Sequence, residues 1–396
     1  MGTFLDSVPL SGIVKIRDMM YTVKNPFRLD QGDVSFDAPD TFKNAVHKAL
    51  DDNHTHYLPT AGLPRLRQLL TEKMQKKNGI PIGSADEVQV TNGGTHAIYA
   101  AMHAVVEPGD EVIVPDPEWP PTMAIVTAAR GVAVPVPLHE ELGWRWNIDE
   151  VERAITPKTK ALYINSPNNP AGGILTRADL ERLAAIARER NLWVFSDEAY
   201  EDMVYDGEHV SIASLPGMYD RTIPLYTFSK TYAVTGVRVG YYAIKDPVMR
   251  SRALKVVLYT TSNVSSPAQY GAIGALEGSQ QCIEDYRQEL KIRRDMFYDG
   301  IKDAAPGILS GNPPAGAFYA FLKINPAWAK EAGVTGESLS WAMAEHLITG
   351  ARIGCVPGVD FGAATEGYLR FCTCRSREEL QGALASMKAL FAGARV

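Results

Sequence analysis

The sequence predicts an α/β protein built on a mostly parallel sheet with crossover helices. Two observations carry this. Short, nearly continuous apolar runs recur from about residue 86 to 245, and amphipathic helical segments lie between them. The 396-residue length adds a second, smaller lobe, because one hydrophobic core seldom organises so long a chain.

Seven runs read as strands: EVQV (87–90), EVIV (111–114), VAVPV (132–136), ALYI (161–164), LWVF (192–195), IPLYTF (223–228) and VGYYAI (239–244). Their lack of polar alternation is what strands covered on both faces show. Among the helices, TRADLERLAAIARERN has Thr176 as N-cap with Asp179 three residues on, close to a capping box. Its Leu180, Leu183, Ala184 and Ala187 fall on one face.

Composition narrows the function classes. A net charge of −6 with no basic run argues against nucleic acid or an anionic membrane surface as partner. No stretch approaches the ~18 uncharged apolar residues of a membrane span. The opening residues have no basic segment leading into an apolar core, so no secretory signal is expected. Cys282, Cys355, Cys372 and Cys374 suit neither a disulfide framework nor a zinc knuckle. Free thiols in a reducing compartment, the cytoplasm, are expected. If Cys372 and Cys374 lie on one strand, their side chains share a face.

In parallel sheets ligands collect at the carboxyl ends of strands, and those ends are rich here. Gly93-Gly94-Thr95 opens a helix directly after a strand, a geometry that binds phosphate or carboxylate. It matches neither G-x-G-x-x-G nor the Walker pattern, so a dinucleotide or nucleoside triphosphate fits poorly. Asp197 ends an apolar strand and needs a partner there. Lys230 follows IPLYTFS, with small residues and Arg238 behind it. Singly, each has a plainer reading: a tight turn for Gly93, a helix cap for Asp197, an Asx-Pro turn for Asn169, packing for Trp119, a solvated lysine at Lys230. Together, a phosphate cradle, a flat aromatic, an amine and a carboxylate suit a phosphorylated aromatic aldehyde, which describes pyridoxal 5′-phosphate.

The chain resembles the class I/II aminotransferases, fold-type I pyridoxal-phosphate enzymes. The motifs that carry the resemblance run in order: YLPTAGLPRLR (57–67), SPNNPAGG (166–173), SDEAY (196–200), TFSKTYAVTGVRVG (227–240), PAGAFYAF (314–321) and GYLRF (367–371). It implies a three-layer αβα large domain around the seven-stranded sheet at 41–289. An arm at 1–40 and a small α+β domain at 290–396 complete it. It implies an amino group moved between an L-amino acid and a 2-oxo acid by a ping-pong mechanism. Lys230 matches the Schiff-base lysine and proton shuttle, and Asp197 the acid on the pyridine nitrogen. Tyr200 and Asn169 match the pair on the cofactor's 3′-oxygen, and Trp119 the ring stacked on the pyridine. Gly93, Gly94, Thr95, Thr227, Ser229 and Arg238 match the phosphate grip. Arg370, with Asn169, matches the grip on the substrate α-carboxylate, and Gly32 a glycine of the closing N-terminal segment. Tyr57 matches a tyrosine that reaches the neighbouring subunit's phosphate, which implies a homodimer with shared sites. No metal is implied.

The chain departs from the family pattern in four places. Val14, ahead of Lys15, stands where many relatives have Arg, and WPPTM (119–123) replaces an aromatic-rich stretch with prolines. The other two concern the phosphate site. Thr227 stands where Ser or Gly is usual, and Thr95-His96 lacks the lysine of some acidic-substrate relatives. For the substrate side chain, Arg17, Met19, Met20 and Tyr21 on the arm are the nearby candidates. The same fold and cofactor also serve β-lyases, decarboxylases, oxidases and synthases, and pocket geometry selects among them. A non-catalytic ligand sensor on this fold would be expected to carry a DNA-binding module with a basic patch, and neither is seen.

Overall fold

The computed structural model describes residues 4–8 and 10–393. All seven anticipated strands are present: β1 (Val88–Thr91), β2 (Glu111–Asp116), β3 (Val132–His139), β5 (Thr159–Asn165), β6 (Trp193–Asp197), β7 (Thr222–Thr227) and β8 (Gly240–Ala243). An eighth, β4 (Arg145–Trp146), extends the sheet by pairing antiparallel to β3. The order is β1-β8-β7-β6-β5-β2-β3-β4. Strands β3, β2, β5, β6 and β7 are mutually parallel, while β8 runs antiparallel to both β7 and β1.

The period-2 geometry of a strand sends alternate residues to opposite faces, which explains the unbroken apolar runs. Val112, Val114 and Tyr163 pack on one side with helix Gly94–Val105. Ile113, Leu162 and Ile164 pack on the other with helix Arg177–Glu189. Helices on both faces make the unit three-layered. Helix Arg177–Glu189 starts where the sequence placed it: Thr176 and Asp179 form the full capping box.

A second, antiparallel sheet has the order β11-β12-β10-β9, from β9 (Leu309–Ser310), β10 (Tyr319–Ile324), β11 (Val356–Pro357) and β12 (Tyr368–Cys372). Its core takes in Phe297, Leu322, Leu347 and Phe371, and also Ile16, Met20 and Leu29 from the N-terminal end. The two ends of the chain therefore share one hydrophobic cluster. β12 stops at Cys372 and the chain turns through Thr373 and Cys374, so the two cysteines do not share a strand face. Both are buried, and all four cysteines are free.

Candidate active site

Strand register assembles the site. Parallel pairing sets Asn165 at the end of β5 beside Asp197 at the end of β6, and Asp197 beside Leu225 of β7. Antiparallel pairing sets Gly240 of β8 between Thr227 of β7 and Thr91 of β1. The chain leaving β1 thereby turns against the chain leaving β7. A Cβ on Gly240 would lie 2.5 Å from the Gly93 carbonyl carbon, so only glycine fits between them. Gly93 itself has φ 81°, the left-handed region glycine tolerates, and N-caps helix Gly94–Val105.

These ends open into a cavity of about 390 Å³. Gly32, Gly94, Thr95, Trp119, Asn169, Asp197, Tyr200, Thr227, Ser229, Lys230, Arg238 and Arg370 all line it. Gly93 stands just behind, where a Cβ would meet Arg238 Nη2 at 2.3 Å. Tyr57 lies apart from the cavity and is 90% exposed.

At one end, Thr227 Oγ1 accepts from the Ser229 amide at 3.1 Å and donates to Ser229 Oγ at 2.9 Å. Arg238 donates to the Thr235 carbonyl at 2.8 Å. Free amides of the helix N-terminus, two hydroxyls and a guanidinium converge there, which suits a phosphate. In the middle, Asp197 is buried, with the Tyr163 hydroxyl on Oδ2 at 2.7 Å and the Ala199 amide on Oδ1 at 3.1 Å. Burial raises its pKa to about 6. A cationic ring nitrogen is the kind of partner it lacks. Lys230 donates from Nζ to the Gly32 carbonyl, and burial pushes its pKa down, as a nucleophilic amine requires.

At the far end, Arg370 of β12 is 2% exposed. Its Nη1 donates to Asn169 Oδ1 at 3.1 Å and its Nη2 to the Asp30 carbonyl at 2.7 Å. Tyr319 and Phe361 flank the guanidinium at 4.7 and 4.9 Å, and Nε has no partner. Among the described residues no carboxylate lies within ion-pair distance of Lys230, Arg238 or Arg370. A buried cation left with neutral acceptors is a site for an anion. The residues present thus fit a ligand with a phosphate at one end and a basic ring nitrogen beside Asp197, next to a second anion at Arg370.

Comparison with known proteins identifies the lineage. The family model for aminotransferase class I and II matches residues 24–387. The chain belongs to that family. It is 37% identical over 390 residues to an aromatic-amino-acid aminotransferase 2 of Thermococcus litoralis, covering 97% of this chain and 96% of that one. It is 38% identical to an aspartate aminotransferase of Pyrococcus abyssi, covering 98% and 97%. The solved aspartate aminotransferase of Thermus thermophilus with maleate superposes with a TM-score of 0.90 at 32% identity, covering 98% and 99%. This chain is an aminotransferase with the fold-type I architecture.

Sequence reasoning passed over three residues at this aminotransferase site: Tyr319 lines the cavity, while Tyr163 and Phe361 contact Asp197 and Arg370 from outside its lining. Tyr163 was readable in principle, since a tyrosine inside an apolar strand needs a hydrogen-bond partner. Tyr319 was not, because its contact to Tyr200 joins segments 119 residues apart. Phe361 was not, because its contact to Arg370 depends on how the turn Ala363–Thr365 folds the chain back. The arm's contribution also differs from expectation. Ile13 lines the cavity, whereas Met20 is in the core with Met19 packed against it, Tyr21 packs on Arg28 outside, and half-buried Arg17 pairs with Asp18. Helix Gly12–Thr22 turns a different face inward from the one anticipated.

Proposed function

We propose that this aminotransferase binds pyridoxal 5′-phosphate in the cavity and moves amino groups between an amino acid and a 2-oxo acid. The observation that carries the proposal is the set of three cations, Lys230, Arg238 and Arg370, without carboxylate partners among the described residues, in one cavity with buried Asp197. When bound, the cofactor supplies an electron sink for the charge left when a bond to the substrate α-carbon breaks.

The chain's residues divide the remaining work. Gly93, Gly94, Thr95, Thr227, Ser229 and Arg238 hold the phosphate. Trp119 stacks on the ring. Asp197 keeps the ring nitrogen protonated, which in turn holds the buried carboxylate ionised. Tyr200 and Asn169 donate to the ring oxygen. Arg370, with Asn169, grips the α-carboxylate bidentately and so aims the α-hydrogen. Lys230 would hold the cofactor through its aldehyde carbon, and its free amine would be placed to take the proton at the substrate α-carbon. The 2-oxo acid uses the same grip in the second half of a ping-pong cycle.

Tyr57, exposed on this chain, would reach the phosphate of a second copy, making a homodimer with shared sites. The arm 1–40 and residues 290–396 would act as one closing unit on the cofactor-binding unit 41–289, a division supported by their common hydrophobic cluster. Three buried free thiols support a cytoplasmic setting. The test is borohydride reduction of the protein loaded with pyridoxal 5′-phosphate, followed by peptide mapping. The adduct should map to Lys230. An adduct on another lysine overturns the assignment.

A further inference from the structure

Tyr319, the first residue of β10, is buried and touches three groups of the site at once. Its hydroxyl lies 2.6 Å from the Tyr200 hydroxyl. Its ring lies against the Arg370 guanidinium, 4.7 Å from centroid to Cζ. Gly32 passes so close that a Cβ there would stand 2.5 Å from the Tyr319 oxygen, and the Gly32 carbonyl is the acceptor for Lys230. Neither hydroxyl of the tyrosine pair has another hydrogen-bond partner among the described residues.

Each phenol has one proton, so only one of the two can occupy the line between the oxygens. If Tyr200 donates to Tyr319, Tyr200 presents only lone pairs to the cavity. If Tyr319 donates to Tyr200, the Tyr200 proton is free to turn toward a ligand oxygen. An anionic acceptor in the cavity selects the second arrangement, and a donor feeding a donor strengthens the outer bond.

We propose that Tyr319 is a positioning residue. Its hydroxyl donates into Tyr200 and directs the Tyr200 proton at the anionic oxygen of the cofactor ring, while its ring face holds the Arg370 guanidinium in plane. The inference rests on the reading of the cavity as a pyridoxal-phosphate site. It assigns Tyr319 two separable functions, one in the hydroxyl and one in the ring.

The experiment is a pH titration of the visible band of protein-bound pyridoxal 5′-phosphate in the parent, Tyr319→Phe, Tyr200→Phe and the double variant. Steady-state kinetics and thermal melts of the cofactor-free proteins accompany it. Tyr319→Phe should disfavour the anionic ring oxygen by about 3- to 10-fold, moving the midpoint up by roughly half to one pH unit. Its kcat should fall with KM nearly unchanged, because the ring stays on Arg370. Tyr319→Leu should raise KM as well. In the double variant the midpoint should match Tyr200→Phe alone, since the hydroxyl acts through Tyr200. Additive shifts, or an unchanged midpoint in Tyr319→Phe, overturn the proposal. So does a Tyr319→Phe protein that melts early or fails to fold, because the hydroxyl is then structural. If the parent itself gives no visible band with the cofactor, the reading of the cavity fails, and the proposal with it.

Discussion

Asp197 and Glu198 are consecutive carboxylates at the end of β6, and they face opposite fates. Asp197 turns into the cavity, where its partners are one phenol and one amide, and its pKa rises to about 6. Glu198 turns behind the sheet end, where the hydroxyls of Ser196, Ser211 and Tyr226 and the His209 ring surround it at 2.6–3.0 Å. The same split holds for the cations. Behind, Lys73 pairs with Glu201 and Lys77 with Asp202. In front, among the described residues, Lys230, Arg238 and Arg370 have neutral acceptors only. Burial pushes Glu201 up, but the Lys73 and Lys77 ammonium groups outweigh it and hold it at about 2. Within a few residues the fold pairs the charges of one polar network, apart from the unpartnered His209 Nδ1 and Asn78 Oδ1, and leaves the charges of the other open. A closed network holds the strand ends in place; an open one waits for a ligand.

Breaking each side should therefore give opposite signatures. The largest effect belongs to Lys230→Ala in front, which removes the amine proposed as both anchor and base. Turnover should fall by at least about 10²–10⁴-fold, as loss of a positioned base does, while the protein still folds and binds the cofactor noncovalently. Stopped-flow single turnovers and equilibrium dialysis check both halves. Behind, Glu201→Ala removes the buried carboxylate that pairs with the half-buried Lys73. Stability should drop by about 3–5 kcal/mol in denaturant melts, with kcat of the folded fraction little changed. A fall in kcat without loss of stability would show that the rear network serves the chemistry after all.

Much of the front was legible in the sequence because its residues sit at strand ends that short motifs announce. The glycine turn after β1, Asp197 at the end of β6 and Lys230 after β7 each follow an apolar run, and strand register does the rest. The rear network was not legible. Lys73 and Glu201 lie 128 residues apart, and each alone reads as a solvated charge. The same holds for Tyr319 against Tyr200, which are 119 residues apart. Strand β4 has two residues, too few to show a period. The reversed direction of β8 leaves no trace in composition, because a strand buried on both faces looks alike either way round. On the arm, helix Gly12–Thr22 shows its apolar positions plainly, yet the rotation that brings in Ile13 depends on packing against the second sheet.

Asp197 allows the open side to be weighed directly. Its folded pKa stands above the unfolded value, so between about pH 4 and pH 6 the folded state holds a proton the unfolded state has lost. Stability of the cofactor-free protein thus falls as pH rises through that window and stays lowered above it. Asp197→Asn removes the titration. In cofactor-free protein it should stabilise by on the order of 2–3 kcal/mol at pH 7–8 and make little difference below pH 4. Loaded with pyridoxal 5′-phosphate, the order should reverse, because the amide cannot keep the ring nitrogen charged. Melts at two pH values, with and without cofactor, separate the cases. An Asp197→Asn protein less stable than the parent under every condition would place Asp197 with Glu198, as part of the closed network.

The smallest expected effect is at the far end of the cavity, and it asks whether an open cation is there for its charge or for its shape. Arg370 holds Asn169 and the Asp30 carbonyl with its two Nη atoms, and the rings of Tyr319 and Phe361 fix its plane. Arg370→Lys keeps the charge but replaces a planar fork by a point donor. It also gives up contacts to both rings that hold the plane. Losing one charge-assisted hydrogen bond costs about 1.5–3 kcal/mol, so kcat/KM for amino acids should fall at least ~10-fold, mostly through KM. Cofactor affinity should hardly move, because the proposed phosphate grip is at the other end. The control is chemical: an amine that lacks the carboxylate should be a poor substrate for the parent and little affected by the substitution. A paired assay of an α-amino acid and its decarboxylated amine decides it. Equal losses for both would make Arg370 a prop for Asn169 and Asp30, its unpaired Nε an incidental gap, and the carboxylate anchor a residue elsewhere in the cavity.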